Sequence, residues 1–73
     1  MSEQANELQK LVAIASDLGL PAELRVKAIE QVAKIGTHEA LRALLDIVAD
    51  EKLIREEREL ALKQAGAIIK SGH

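Results

Sequence analysis

The sequence contains no cysteine and no aromatic residue, and it has only one proline. Without cysteine the chain forms no disulfide and offers no thiolate as a metal ligand or nucleophile. Without aromatic side chains it lacks the stacking platforms that proteins use to bind single-stranded nucleic acid. The core must therefore be built from Leu, Ile, Val and Ala.

Neither positive nor negative charge predominates, because the chain has ten Lys and Arg residues and 12 Asp and Glu residues, which gives a net charge of −2. A nucleic-acid partner would require a basic surface, so we expect none. No apolar run approaches the roughly 20 residues of a membrane span, and MSEQANELQK lacks the basic-then-apolar pattern of a signal peptide. We expect a soluble, cytoplasmic protein without a membrane partner.

The chain is one small domain over residues 1–73, and at 48% hydrophobic residues it is too apolar to be disordered. Apolar residues recur at helical spacing and never alternate, which predicts an all-α fold of four helices. Single cores of this size supply only about 3–5 kcal/mol, and oligomerisation is a common supplement.

Local signals predict the helix ends. Ser2 is a plausible N-cap for helix one, which should end near Asp17, because Gly19 suits a left-handed position. Pro21 suits the first residue of helix two, and Gly36 should end that helix.

Thr37 can cap helix three. We expect a break near Asp50–Lys52, because one helix over 38–70 would extend about 50 Å and leave little chain to cover it. The residues predicted to face the core are Leu8, Leu11, Val12, Ile14, Ala15, Ala28, Ile29, Val32, Ile35, Leu41, Leu44, Leu45, Ile47, Val48, Ala61, Leu62, Ala65, Ile68 and Ile69.

The chain matches itself under a shift of 33, which aligns Leu8 with Leu41, and ten of the 40 overlapping pairs are identical. About four identities are expected by chance in so biased a composition, but a shift of 36 also gives nine in 37. The shift of 33 is favoured because it keeps the loops between the helices equal in length, and it includes polar identities that helical periodicity alone does not require. These polar identities are Asp17 with Asp50, Arg25 with Arg58, and Gln31 with Gln64.

The shift of 33 predicts two tandem antiparallel helix hairpins, repeat 1 over about 5–36 and repeat 2 over about 38–69. They would form either a fragment of an α-solenoid or a compact four-helix domain, since two repeats are fewer than a solenoid usually needs.

Four dipeptides follow one another at helical spacing in the second predicted helix: Leu24-Arg25, Ala28-Ile29, Val32-Ala33 and Ile35-Gly36. They resemble the second helix of a HEAT-like repeat of the phycobilisome-lyase type. The stretch 37-THEALRALLDIVAD-50 is similar to the first helix of the next repeat, and 58-RELALKQAGAII-69 carries the arginine and small residues again.

The resemblance covers about residues 5–69, with departures at Glu57 and His38, where the family prefers an apolar residue and proline. It implies a binding scaffold and gives almost no support to lyase activity, because the lyases are much longer chains. It also implies residues that pack the repeats together. We assign this role to Arg25, Ala28, Arg58, Ala61 and Gly66.

The charged residues allow two interpretations. Asp17 with Arg25, and Asp50 with Arg58, either form ion pairs that link a loop to the next helix or remain solvated charges. The run from Glu56 to Glu59 is expected to be a solvated helix face with local ion pairs.

No residue pattern indicates catalysis or ligand chemistry. His38 is the only internal histidine and should lie on the surface, while the glycines form no phosphate loop. No serine or threonine has a companion that would activate it. We therefore expect no enzyme, no catalytic residue, no metal and no cofactor.

A protein partner of unknown identity remains as the expected ligand. The second helix of each hairpin should line a binding face, generally the concave one. Its candidate residues are Lys27, Glu30, Lys34, Leu60, Lys63 and Ala67. We expect a small protein-interaction or scaffold module; the alternatives are a self-associating structural subunit that forms a homodimer, or an accessory or regulatory subunit of an enzyme.

Overall fold

A computed structural model describes residues 3–71, with only the backbone for residues 3–5. The chain folds into four α-helices, α1 (Glu3–Ala15), α2 (Ala22–Ile35), α3 (His38–Ala49) and α4 (Arg55–Lys70). The all-α prediction is confirmed, and the proposed N-cap Ser2 lies outside the described residues. The radius of gyration of 11.2 Å is that expected for a compact chain of this length.

The helices pack as two hairpins, α1 with α2 and α3 with α4. Helix α2 also contacts α3 and α4, and α1 contacts α3, but within residues 3–71 α1 and α4 do not pack on each other. In a closed four-helix ring the first and last helices would meet. The hairpins are instead stacked side by side, with α1 beside α3, α2 beside α4, and α2 at the centre.

The core is aliphatic, and its largest fully buried apolar side chains are Ile29, Val32, Leu44 and Ile47. Small residues fill the remaining contacts, as in Ala28 on α2 and the other buried alanines. They permit close approach of the helix axes, so a core without aromatic residues still reaches native packing.

Four residues predicted to be buried are exposed instead. They are Ile14 at 37% exposure, Leu45 at 44%, Leu62 at 55% and Ile69 at 60%. Helical periodicity identified the apolar side of each helix, but these residues lie where no neighbouring hairpin covers that side. Their exposure leaves apolar surface on the molecule.

The loop between α1 and α2 is closed by Asp17. Its Oδ1 accepts the N–H of Gly19 at 2.8 Å, and its carbonyl accepts the N–H of Leu20 at 3.1 Å. Helix α1 thus ends two residues before Asp17, and Gly19 is not left-handed as predicted; an added Cβ there would lie 3.1 Å from Asp17 Oδ1. Pro21 is the N-cap of α2 rather than its first residue.

The loop between α3 and α4 repeats these hydrogen bonds at the positions that the shift of 33 aligns with the first loop. Asp50 Oδ1 accepts the N–H of Lys52 at 3.0 Å, and the Asp50 carbonyl accepts the N–H of Leu53 at 3.2 Å. Ile54 has the extended conformation of Pro21, with φ −69° against −58°. The predicted break near Asp50–Lys52 is confirmed, and the Asp50 side chain makes a turn that needs neither glycine nor proline.

The junction between α2 and α3 is formed by Gly36 and Thr37, as predicted. Gly36 has φ +67°, a left-handed conformation that glycine adopts without steric cost. Thr37 Oγ1 accepts the N–H of Ala40 at 3.1 Å and caps α3. Only one residue separates this cap from the end of α2, so the two hairpins are tightly joined.

The adjacent residues Leu44 and Leu45 provide a test of the described core. Leu44 is fully buried and Leu45 is 44% exposed. We expect Leu44→Ala to lower the free energy of unfolding by about 2–5 kcal/mol and Leu45→Ala by about 0.5 kcal/mol. Urea denaturation followed by circular dichroism measures both; equal losses would contradict the assigned burial.

Candidate protein-interaction surfaces

The most buried polar contact joins the two hairpins. On α2, Arg25 donates from Nε to Oε2 of Glu57 on α4 at 2.8 Å, and the side chains are 9% and 1% exposed. Arg25 Nη1 also donates to the carbonyl of Leu20 at 2.7 Å. One guanidinium therefore connects the first loop, α2 and α4.

The predicted ion pairs within each hairpin do not form in the described residues. Arg25 contacts Asp17 only through the Asp17 carbonyl, at 3.5 Å. The Asp17 carboxylate instead accepts the N–H of Gly19 within its own loop. Asp50 likewise bonds within its loop, and Arg58 Nε is buried without a hydrogen-bond partner. The role of Arg25 is thus to link the hairpins, while Arg58 occupies the matching place on α4 without a matching carboxylate.

The carboxylate run at the start of α4 is not wholly a solvated face. Arg55 and Glu59 form the expected local ion pair at 3.0 Å, with both side chains exposed. Glu57 is buried, however, and the prediction for this residue is wrong because its partner lies on α2. Glu57, one of the two residues that depart from the HEAT-like pattern, is therefore the one that binds Arg25.

The buried pair can be tested by substitution. We expect Glu57→Ala to lower the free energy of unfolding by about 3–5 kcal/mol, because it leaves Arg25 buried and uncompensated. The exposed Glu59→Ala control should lose about 0.2–1 kcal/mol. Thermal and urea unfolding measure both variants.

The double variant Arg25→Met/Glu57→Leu separates charge from packing. It removes both charges and keeps the volume, so it should recover most of the stability lost in Glu57→Ala. A double variant as unstable as the single one would show that the ion pair is not what Glu57→Ala removes.

The candidate residues lie on α2 and α4, which contact each other, and Glu30, Lys34 and Ala67 line grooves between the two helices. Lys27, Glu30 and Lys34 are exposed on α2, and Lys63 and Ala67 on α4. Leu60 is half-buried and packs against the core, so it offers less contact area than the sequence suggested. We call these six residues the α2–α4 surface.

A shallow groove runs along the α2–α4 surface. Its lining includes Glu30, Lys34 and Gln64, with Ala33 and Ala67 between the two helices. Small side chains make the groove accessible, and its lining includes one lysine, Lys34. The candidate residues Glu30, Lys34 and Ala67 line this groove, and so does Gln64, which the sequence also placed on this face.

A second exposed surface, which is apolar, lies on the outer side of the α3–α4 hairpin. It comprises Leu45, Val48, Leu62, Gly66 and Ile69, and we call it the α3–α4 end face. Arg58 adjoins it, since a groove of about 240 Å³ is lined by Val48, Leu62, Arg58 and the Arg55–Glu59 pair. The sequence marked several of these residues as core, so the exposed face was missed.

Of the other three residues expected to pack the repeats together, two lie in the core and one does not. Ala28 and Ala61 are buried in the core, on α2 and α4 respectively. Gly66 does not mediate a close helix approach within the chain, because a Cβ built there would meet nothing within 4 Å.

Gly66 and Gly36 should respond oppositely to alanine. Gly66→Ala is expected to stabilise the fold by about 1 kcal/mol, because alanine favours a helix interior and its Cβ has open space. Gly36→Ala should destabilise by about 1–2 kcal/mol through its left-handed backbone. Urea denaturation of both variants measures the two changes in the free energy of unfolding. A destabilising Gly66→Ala would contradict the open space at this residue.

The described residues contain neither a helix long and apolar enough to cross a membrane nor a group of three or more metal-binding side chains. His38 is exposed at the first residue of α3. Comparison with known protein families, with curated proteins and with solved structures found no match.

Proposed function

We propose that the chain is a small protein-interaction module made of two HEAT-like helix hairpins. The hydrogen bonds of the Asp17 and Asp50 loops support the repeat, because they recur at the same shift at which the sequence matches itself. A rigid helical scaffold of this kind acts by presenting a surface.

The groove of the α2–α4 surface carries the proposal. Of the six residues of the α2–α4 surface, Lys27, Lys34 and Lys63 are exposed lysines and Glu30 is the one carboxylate, although the whole chain has a net charge of −2. Lys34 and Glu30 line the groove itself. Local positive charge around an accessible, small-residue groove favours an acidic segment of a partner protein.

Self-association as a structural subunit is the second candidate. The observation that favours it is the exposure of Leu62 and Ile69 on α4, at 55% and 60%. The two residues lie two turns apart on one side of α4, and contiguous apolar patches on a surface often mark interaction sites.

Charge reversal within the groove tests the proposed module. Immobilised protein carrying Lys34→Glu should retain at least tenfold less of a captured partner than the unchanged protein, because a rim charge opposite an acidic segment becomes repulsive. Quantitative mass spectrometry of the eluates measures the loss.

The control is Lys10→Glu, which reverses an exposed lysine on α1 outside the α2–α4 surface. It should retain the partner fully. Equal capture by both variants and the unchanged protein would exclude the α2–α4 surface as the binding site.

A further inference from the structure

Several residues of the α3–α4 end face correspond to residues of the first hairpin that are covered. The shift that relates the two hairpins aligns Leu62 with Ile29, which is fully buried, whereas Leu62 is 55% exposed. The covered face of α1–α2 packs on α3 and α4. The second hairpin therefore repeats a packing surface with nothing stacked on it.

The aligned residues Leu45 and Val12 extend this correspondence to the first helix of each hairpin. The same shift aligns Leu45 with Val12, which is half-buried and lines a groove with Ala43 of α3. Leu45 is 44% exposed instead. Both helices of the second hairpin thus carry apolar residues at the positions that are apolar and covered in the first hairpin, although no described residue covers them here.

A half-buried arginine that lines the groove beside Val48 and Leu62 indicates the chemistry that this face lacks. Arg58 is the counterpart of Arg25 in the second hairpin, but Arg58 Nε is buried without a hydrogen-bond partner. Arg25 Nε binds Glu57, which the neighbouring hairpin supplies from the first turn of its second helix. By this correspondence, the absent neighbour of Arg58 would supply a carboxylate from the same place.

We propose that the α3–α4 end face docks a helix hairpin of another protein, whose second helix carries a carboxylate in its first turn. The apolar part of that hairpin would cover Leu45 and Leu62. Its carboxylate would pair with the half-buried Arg58 guanidinium, as Glu57 pairs with that of Arg25.

A second copy of this chain does not meet this requirement. If a copy stacked head-to-tail, its first hairpin would lie on the end face, and Leu24 would take the place that Glu57 takes within the chain. Leu24 is apolar and 45% exposed, so Arg58 would remain unpaired. An unpaired charge at a contact disfavours the wrong partner, here an open-ended stack of copies.

The same residue provides the experiment, because Leu24→Glu turns the chain into a probe with the required carboxylate. Sedimentation equilibrium up to about 1 mM covers even weak association. We expect Leu24→Glu to self-associate with a dissociation constant at least tenfold below that of the neutral control Leu24→Gln. Adding Arg58→Gln to Leu24→Glu should return the association to the level of that control.

Each other outcome overturns the proposal. Equal association of Leu24→Glu and Leu24→Gln would exclude recognition of a carboxylate, and association that survives Arg58→Gln would exclude Arg58 as its partner. An unchanged chain that associates as tightly as Leu24→Glu would make a second copy the occupant. This test does not involve Lys34, so its failure and failure of the groove are distinguishable.

Discussion

The arrangement of the two hairpins depends on the ion pair between Arg25 and Glu57. Removing two charges from water costs several kcal/mol per ion, and their attraction compensates only when the geometry is good. At 2.8 Å the geometry is good, although Glu57 Oε1 is buried without a partner. We infer that the pair contributes little net stability and instead selects one register, because any other stacking would bury either charge alone.

The ion pair is needed to select one stacking of the hairpins because the core is chemically uniform. Leucine, isoleucine, valine and alanine at helical spacing offer several stackings of similar apolar area, and no aromatic side chain distinguishes one from another. Cores that conserve volume and pattern lose uniqueness before they lose stability. The contacts from Arg25 to both Glu57 and the Leu20 carbonyl are directional, and we infer that they favour the observed placement of α4 over the alternatives.

The helices and their ends were predictable because their causes are local. Gly36 and Thr37 act on adjacent backbone groups, and the carboxylate of Asp50 bonds two residues ahead. The burial of Glu57 was not predictable, because its partner lies far away in the chain on another helix and the neighbouring charges indicated a solvated face. The exposure of Leu62 was missed for a related reason: periodicity shows which side of a helix is apolar, but not whether another hairpin covers it.

The two ends of the stack are therefore chemically different, although they derive from the same pattern. Terminal units of stacked repeats usually present polar outer faces, because an apolar end recruits further units. The α3–α4 end face is apolar and includes Gly66, where a Cβ would meet nothing within 4 Å. The opposite end carries Leu24 in place of the carboxylate that joins one hairpin to the next. If a hairpin docks on this end as proposed, the lack of a matching carboxylate at the opposite end favours one docked partner over a growing filament.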